Sequence, residues 1–255
     1  MQLADTHTHL YLPEFDGDRD EMISRAVGAG VTRLLMPNID LHSVDAMLSA
    51  ADNYKGICFP MIGLHPTSVG DEYLQQLENL ESMYVEKKFI AVGEIGIDMY
   101  WDVSHLKEQK DAFRRQVQFA LEKKLPVVIH SRNSFKEIVT ILDEFSGASL
   151  RGVFHAFSGD SRDAEKAIAM GFMLGIGGPL TYKNSGLPDI VKEYGIEHVI
   201  LETDSPYLTP APYRGKRNES SYICIINKKL AEITGKTEGE TAAVTYGNSC
   251  RLFNI

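Results

Sequence analysis

The segment LADTHTH (residues 3–9) begins as a short apolar run and ends in acidic and imidazole side chains. Five further apolar runs carry a histidine or an acid at or near their C-terminal ends: FPMIGLH (59–65), IAVGEIG (90–96), PVVIH (126–130), GVFH (152–155) and VILETD (199–204). Strand ends in a barrel of alternating strands and helices converge on one mouth, even when they are far apart in sequence. The pattern therefore predicts one shared site for His7, His9, His65, Glu94, His130, His155 and Asp204.

Strand-like segments alternate along the chain with segments in which apolar residues have helical spacing. We place the strands near residues 2–7, 32–37, 57–64, 89–95, 126–130, 151–155, 172–176 and 198–203. Eight such units predict parallel strands covered by helices, and two more helical patterns follow around 220–234 and 238–249. An open doubly wound sheet uses the same alternation, but eight units and no GxGxxG after the first strand favour closure.

The predicted fold class is therefore α/β, with residues 1–255 forming a single (β/α)8 TIM-barrel domain with a C-terminal helical extension. About 250 residues is typical of this fold. No apolar stretch approaches the ~20 residues that cross a bilayer, and no secretory signal is expected at the N-terminus. Three cysteines without paired spacing indicate a cytoplasmic protein. A net charge of -9 excludes a global cationic field for long nucleic acid.

Imidazoles and carboxylates gathered at one barrel mouth are the ligands of a catalytic metal site. Asp5, His7 and His9 alternate, so they project to the same side of the first strand. Glu94 follows a nearly continuous apolar run, where a carboxylate needs a cationic partner or a metal. Each of these residues has an alternative structural interpretation, as a core histidine or as part of a salt bridge, but their joint placement favours a metal site.

The residues also match a known family. The chain resembles the TatD-type metal-dependent hydrolases, relatives of the amidohydrolase superfamily, along essentially its whole length. The matching segments are DTHTHL (5–10), IGLHP (62–66), VGEIGID (92–98), IHSR (129–132), HAFSG (155–159), ETDSPYL (202–208) and RGKRNE (214–219). Ala156 and Ser220 depart from the common pattern, which often has cysteine and proline there, but neither is a proposed ligand.

The resemblance implies a barrel that holds one or two divalent metals and hydrolyses phosphodiester bonds of DNA. One metal would be bound by His7, His9, Glu94 and Asp204, and the second by Glu94, His130 and His155. We expect two cations, which could be Mg²⁺, Mn²⁺ or Zn²⁺, with Glu94 bridging them and Asp204 accepting the proton of the attacking water. Glu202 could orient a histidine ligand or form a buried ion pair, and Asp98 could accept a hydrogen bond or belong to a loop.

Residues expected to contact the substrate surround this mouth. His65 is a polar group near the site, and Arg132, Arg214 and Lys216 could grip phosphates, although a solvated basic loop is the alternative for the segment around Lys216 and Arg217. Tyr207 or Tyr213 could stack a base or pack within the loop, and Trp101 could line the cleft.

Three classes of function remain open. The first is a metal-dependent deoxyribonuclease that acts on single-stranded or end-accessible DNA. The second is an amidohydrolase-type deacylase or esterase, for example on aminoacyl-tRNA, because the same activated water attacks a carbonyl carbon. The third is a barrel that binds ligands without catalysis. Loss of one or more types of metal-ligating residue would mark this class, and no such type is missing from the sequence. No membrane or obligate protein partner is expected.

Overall fold

The computed structural model describes residues 1–84 and 89–255 as eight strands and nine α-helices in alternating order. The strands are β1 (Leu3–Asp5), β2 (Val31–Met36), β3 (Cys58–Pro60), β4 (Val92–Asp98), β5 (Val127–Arg132), β6 (Gly152–Phe154), β7 (Met173–Ile176) and β8 (Val199–Leu201). The helices are α1 (Arg19–Gly28), α2 (Val44–Asn53), α3 (Tyr73–Tyr84), α4 (Leu106–Lys123), α5 (Phe135–Asp143), α6 (Ser161–Ala169), α7 (Leu187–Tyr194), α8 (Ile223–Thr234) and α9 (Glu238–Phe253). Each strand from β1 to β7 is followed by one helix, and α8 and α9 follow β8.

The strands form a ring of parallel neighbours. Strands β1 to β3 pair in chain order, as do β4 to β8. Ile62 and Val92 form a parallel bridge where these two groups meet, and the backbone N–H of Gly93 donates to the carbonyl of Ile62 at 2.8 Å. A second parallel bridge joins Thr8 to Ser205 on the other side. These contacts confirm the predicted (β/α)8 TIM-barrel class, because hydrogen bonds join the two groups of strands at both of their junctions.

Strand β4 differs from the prediction. The sequence pattern predicts a strand over 89–95 with Asp98 beyond its end, whereas β4 spans Val92–Asp98. Asp98 pairs with Arg132, the last residue of β5, so pairing with the neighbour extends the strand through its glycines. Gly96 has φ +147°, and a Cβ there would overlap the carbonyl oxygen of His130. Glu94 therefore lies within the strand rather than at its end.

The C-terminal helix covers the N-terminal end of the barrel. Leu252 and Phe253 of α9 are buried in a cluster whose other members lie in the strands or directly beside them: Leu35, Met61, Ala91, Val128, Val153 and Ile200. The Asn248 side-chain amide donates to the carbonyls of Ile196 and Val199, just before and at the start of β8. The opposite, C-terminal end of the barrel is where the predicted site residues lie.

Of the helices within residues 1–84 and 89–255, none combines the length and apolarity needed to cross a membrane.

Candidate metal centre

The buried carboxylate of Asp5 holds β1 against the segment that follows β8. The backbone N–H and hydroxyl of Thr203 donate to the two oxygens of Asp5, at 2.8 and 2.6 Å. The N–H of Asp204 donates to the carbonyl of His7 at 2.9 Å. Burial raises the pKa of Asp5 to about 7, against the hydrogen bonds that stabilise its charge. These contacts bring Asp204 beside His7 and His9 although almost 200 residues separate them.

A first cluster contains His7, His9, Glu94 and Asp204. The Nε2 atoms of His7 and His9 lie 3.2 Å apart. Glu94 Oε2 is 3.1 Å from His7 Nε2 and 3.7 Å from His9 Nε2, and Asp204 Oδ1 is 3.7 and 3.6 Å from the same two atoms. Two atoms bound at about 2.1 Å to one tetrahedral ion lie about 3.4 Å apart. The cluster therefore has the spacing of a single coordination sphere.

A second cluster faces the other oxygen of Glu94. Oε1 of Glu94 lies 2.9 Å from His130 Nδ1, 3.3 Å from His65 Nε2 and 3.6 Å from His155 Nε2. His155 also reaches the first cluster, since its ring stacks on His7 with centroids 3.4 Å apart and its Nε2 is 3.9 Å from Asp204. Glu94 thus presents one oxygen to each cluster, which is the geometry that a bridging carboxylate requires.

Tyr11 determines which nitrogen of His9 faces the cluster. The hydroxyl of Tyr11 donates its one proton to the carbonyl of Pro37 at 2.6 Å, and its oxygen lies 3.0 Å from His9 Nδ1. His9 must therefore donate from Nδ1, which leaves the lone pair of a neutral ring on Nε2, directed at Glu94 and Asp204. Sequence analysis did not identify Tyr11. Its position two residues after His9, in the alternation Asp5, His7, His9, Tyr11, is the signal that could have found it.

Carboxylates similarly hold two of the three histidines of the second cluster, His130 and His155. Asp98 Oδ2 lies 2.8 Å from His130 Nε2, so His130 faces Glu94 through Nδ1. Glu202 Oε1 lies 2.9 Å from His155 Nδ1, at ion-pair distance but without hydrogen-bond alignment. A carboxylate behind a histidine fixes the ring and makes the opposite nitrogen a better metal ligand. Glu202 and Asp98 therefore both contact histidines, rather than forming a separate ion pair or a loop.

His65 has the opposite proton arrangement. The backbone N–H of Thr67 donates to His65 Nδ1 at 3.2 Å. Burial lowers the pKa of His65, so the ring is neutral near pH 7 and its single proton is on Nε2. That N–H points toward Glu94 and His130 as a donor. His65 therefore lies at ligand distance from the second cluster but is arranged to donate a hydrogen bond.

The carboxylates and histidines of the two clusters shift one another's pKa values. Burial raises the pKa of Glu94, but the surrounding histidines outweigh it and hold this pKa well below its usual value. The pKa of Asp204 is also lowered, because His155, His9 and His7 outweigh burial. Burial lowers the pKa of His155, but Glu202, Glu94 and Asp204 raise it to about 10. Negative carboxylates therefore surround the imidazoles, and cations are favoured between them.

These residues fit divalent metals. The described residues contain three groups of potential ligand atoms that lie within 4.8 Å of one another: His7, His155 and Asp204; His7, His9 and Glu94; and His65, Glu94 and His130. The groups are buried or half-buried, and they combine imidazole nitrogen with carboxylate oxygen, which suits zinc as well as manganese and magnesium. Asp204 adopts the left-handed backbone conformation, with φ +58°, which aspartate tolerates better than most residues.

A cleft of 1290 Å³ opens above the clusters. Arg132, Arg214 and His65, which the sequence pattern predicts to contact substrate, line it, and so do Tyr207 and Trp101. Lys216 is not among the residues that line the cleft.

The sequence did not predict the positions of two further basic residues near the cleft. Arg217, considered for the same basic loop, instead donates to both carboxylate oxygens of Asp18 at 2.7 and 2.8 Å, because this acid lies directly before α1 and faces the loop. Lys183 lines the cleft although sequence analysis assigned it no role.

Fold and site together define a class. The chain is a barrel of the TIM type in which histidines and carboxylates able to hold divalent metal gather below an open cleft at the C-terminal mouth, as in metal-dependent hydrolases.

Comparison with known proteins identifies the family. A family model described as TatD related DNase matches residues 4–254, and the chain belongs to this family. The uncharacterized metal-dependent hydrolase YabD of Bacillus subtilis (strain 168) is 37% identical over 254 residues, which cover 99% of each chain. A Cronobacter sakazakii protein named 3'-5' ssDNA/RNA exonuclease TatD is 32% identical over 246 residues, 94% of this chain and 93% of the relative. The crystal structure of YjjV, a TatD homologue from Escherichia coli K12, has a TM-score of 0.93 at 29% identity and covers 99% of this chain and 98% of its own.

Proposed function

We propose that this chain is a two-metal phosphodiesterase that hydrolyses DNA from strand ends. The observation that carries the proposal is Glu94, whose two oxygens face two different sets of ligand atoms. His7, His9 and Asp204 would complete one site, and His130 and His155 the other. The name of the Cronobacter relative supports a nucleic-acid substrate and attack from the 3′ end.

The residues of the two clusters and of the cleft would have separate roles in the reaction. Divalent cations held in the two clusters would lower the pKa of the attacking water and neutralise charge on the phosphodiester. Asp204, whose side chain is 14% exposed and whose lowered pKa keeps it ionised, lines the cleft and would accept the proton of that water. His65, which lines the cleft, would share its Nε2 proton between Glu94 and a phosphate oxygen in a bifurcated hydrogen bond. The oxygen of the water would form a bond to phosphorus, the bond from phosphorus to the ester oxygen would break, and that oxygen would take a proton from protonated Asp204 or from solvent and leave as an alcohol.

Substrate preference follows from the surface around the cleft. The chain carries a net charge of -9, which repels a long duplex, whereas Arg132 and Arg214 supply local positive charge at the cleft. Single strands have accessible ends and unpaired bases. We therefore expect a free, single-stranded end to be the preferred substrate, and activity should fall with salt as phosphate contacts are screened. Three cysteines without a disulfide support a cytoplasmic setting.

The test is a substrate panel with purified protein whose metal content is known. End-labelled linear and circular single-stranded DNA, linear duplex DNA, RNA and an aminoacyl ester are each incubated with Mg²⁺, Mn²⁺ or Zn²⁺. The proposal predicts stepwise shortening of linear single strands and little action on circles. Asp204→Asn is the matched control, since asparagine also tolerates the left-handed backbone, and it should abolish turnover. Preferential hydrolysis of the aminoacyl ester, or equal rates on circles and linear strands, would overturn the proposal.

A further inference from the structure

The most exposed large hydrophobic side chains of the described residues include an aromatic pair at the edge of the cleft. Tyr100 and Trp101 are 55% and 69% exposed, and they lie two and three residues after the end of β4. Their rings meet edge to face, with centroids 5.0 Å apart and planes at 86°. Adjacent exposed aromatic rings beside a cleft form an apolar surface of the kind that marks ligand-binding sites. We call this pair the aromatic rim.

Arg132 packs against the same rim. Its guanidinium carbon lies 3.8 Å from the centroid of the Tyr100 ring and 5.3 Å from that of Trp101. Stacking on a ring uses the flat face of the guanidinium and leaves the N–H groups, which lie in its plane, able to bind phosphate oxygens. The rim therefore combines an aromatic surface with a fixed donor for an anion.

Asp98 sets the position of the rim relative to the metal clusters. Its Oδ1 accepts hydrogen bonds from the backbone N–H groups of Tyr100 and Trp101, at 2.8 and 3.1 Å. Its Oδ2 lies 2.8 Å from Nε2 of His130. One carboxylate thus connects the rim to a proposed ligand. Trp101, Arg132 and His130 all line the same cleft.

We propose that the aromatic rim is a subsite that stacks one unpaired nucleobase on Trp101 while Arg132 binds the adjoining phosphate. This subsite belongs to the nuclease site proposed above and rests on that function. A base inside a duplex is covered on both faces, so only an unpaired or terminal base can offer a free face to the rim. Stacking on an aromatic ring accepts any base, which gives preference for single strands without preference for sequence.

The volume of the cleft is large enough for a nucleic-acid strand. At 1290 Å³ it exceeds the roughly 300–1,000 Å³ of most small-molecule sites, so more than one nucleotide fits. On another part of its lining, the guanidinium of Arg214 lies 4.4 Å from the centroid of Tyr182. This second arginine on an aromatic ring could bind a nucleic-acid strand that continues past the metal clusters.

Intrinsic fluorescence reports on this subsite directly, because Trp101 is the sequence's one tryptophan. The metal-loaded protein is titrated with oligo(dT) carrying phosphorothioate linkages that resist hydrolysis, and with an abasic oligonucleotide of the same length and linkage. We expect saturable quenching by oligo(dT). The abasic strand should bind about tenfold more weakly and quench little, because it lacks the stacking partner. Equal affinity and equal quenching for both strands would overturn the proposal.

Kinetics of variants supply the second readout. Trp101→Ala should raise KM for single-stranded DNA about tenfold with little change in kcat, and Trp101→Phe should recover most of the loss. On an abasic strand with ordinary phosphodiester linkages, Trp101→Ala should match the wild type. Val103→Ala is the control, since Val103 is 54% exposed in the same loop and does not line the cleft.

The two proposals fail in different ways. If oligo(dT) quenches Trp101 but no phosphodiester is hydrolysed, the subsite stands and the nuclease function fails. If the wild type degrades single strands while Trp101→Ala has an unchanged KM, the nuclease function stands and the subsite is wrong.

Discussion

Replacing Glu94 by glutamine tests the bridging carboxylate. The substitution keeps the shape of the side chain but removes a negative charge that faces both clusters. The Glu94 oxygens lie 2.9–3.7 Å from the histidine nitrogens around them, so a cation among these atoms would be within 4 Å of the carboxylate. A unit charge pair at 4 Å is worth about 4 kcal/mol at an effective dielectric constant of 20. Metal affinity should therefore fall by about 10³-fold at each site.

The assay is metal stoichiometry by elemental analysis at matched free metal, together with kcat on single-stranded DNA. His130→Ala is the comparison, because it should empty mainly one site and leave the other partly occupied. Adding His130→Ala to Glu94→Gln should cost little beyond Glu94→Gln alone, since residues that act as one unit give non-additive losses. Circular dichroism checks that each variant is folded. Two retained metals and near-wild-type turnover in Glu94→Gln would refute the bridging assignment.

Three further predictions concern neighbouring residues. Tyr11→Phe removes the oxygen that accepts the His9 Nδ1 proton, so a metal titration should show one site weakened about 10- to 100-fold and the other unchanged; equal affinities would contradict this role. His65→Ala should keep both metals but lower kcat about 10²-fold, whereas loss of a metal would make His65 a ligand. Asp18→Asn should lower the free energy of unfolding at pH 7 by about 0.5–1 kcal/mol, measured by urea denaturation. Hydrogen bonds from Arg217 and Arg25 hold the pKa of Asp18 below its unfolded value, so this stabilisation is fully present above about pH 4 and is lost as the pH falls through the lowered pKa of the folded state; a loss that is undiminished at pH 2 would contradict the ion pair.

Much of the fold and of the site could be predicted because both depend on regular patterns. Short apolar runs alternate with helical spacing, and parallel strands direct their C-terminal ends to one mouth. His7, Glu94 and Asp204 meet for that reason, although they belong to three different parts of the chain.

Other features depend on contacts that no local pattern encodes. The Tyr11 hydroxyl selects the tautomer of His9 only because the carbonyl of Pro37 takes its proton. Arg217 is withdrawn from the cleft by Asp18, about 200 residues away in sequence. The C-terminal end of β4 was misplaced because glycines, which weaken a local strand pattern, are required there by the close approach of the His130 backbone.

The most direct test of the central claim is anomalous X-ray scattering from crystals of the protein loaded with Mn²⁺. The two-metal account predicts two peaks about 3.5–4 Å apart, with one oxygen of Glu94 bound to each. His7, His9 and Asp204 should surround one peak, and His130 and His155 the other. A single fully occupied peak under saturating Mn²⁺, or two peaks that Glu94 does not bridge, would contradict the account.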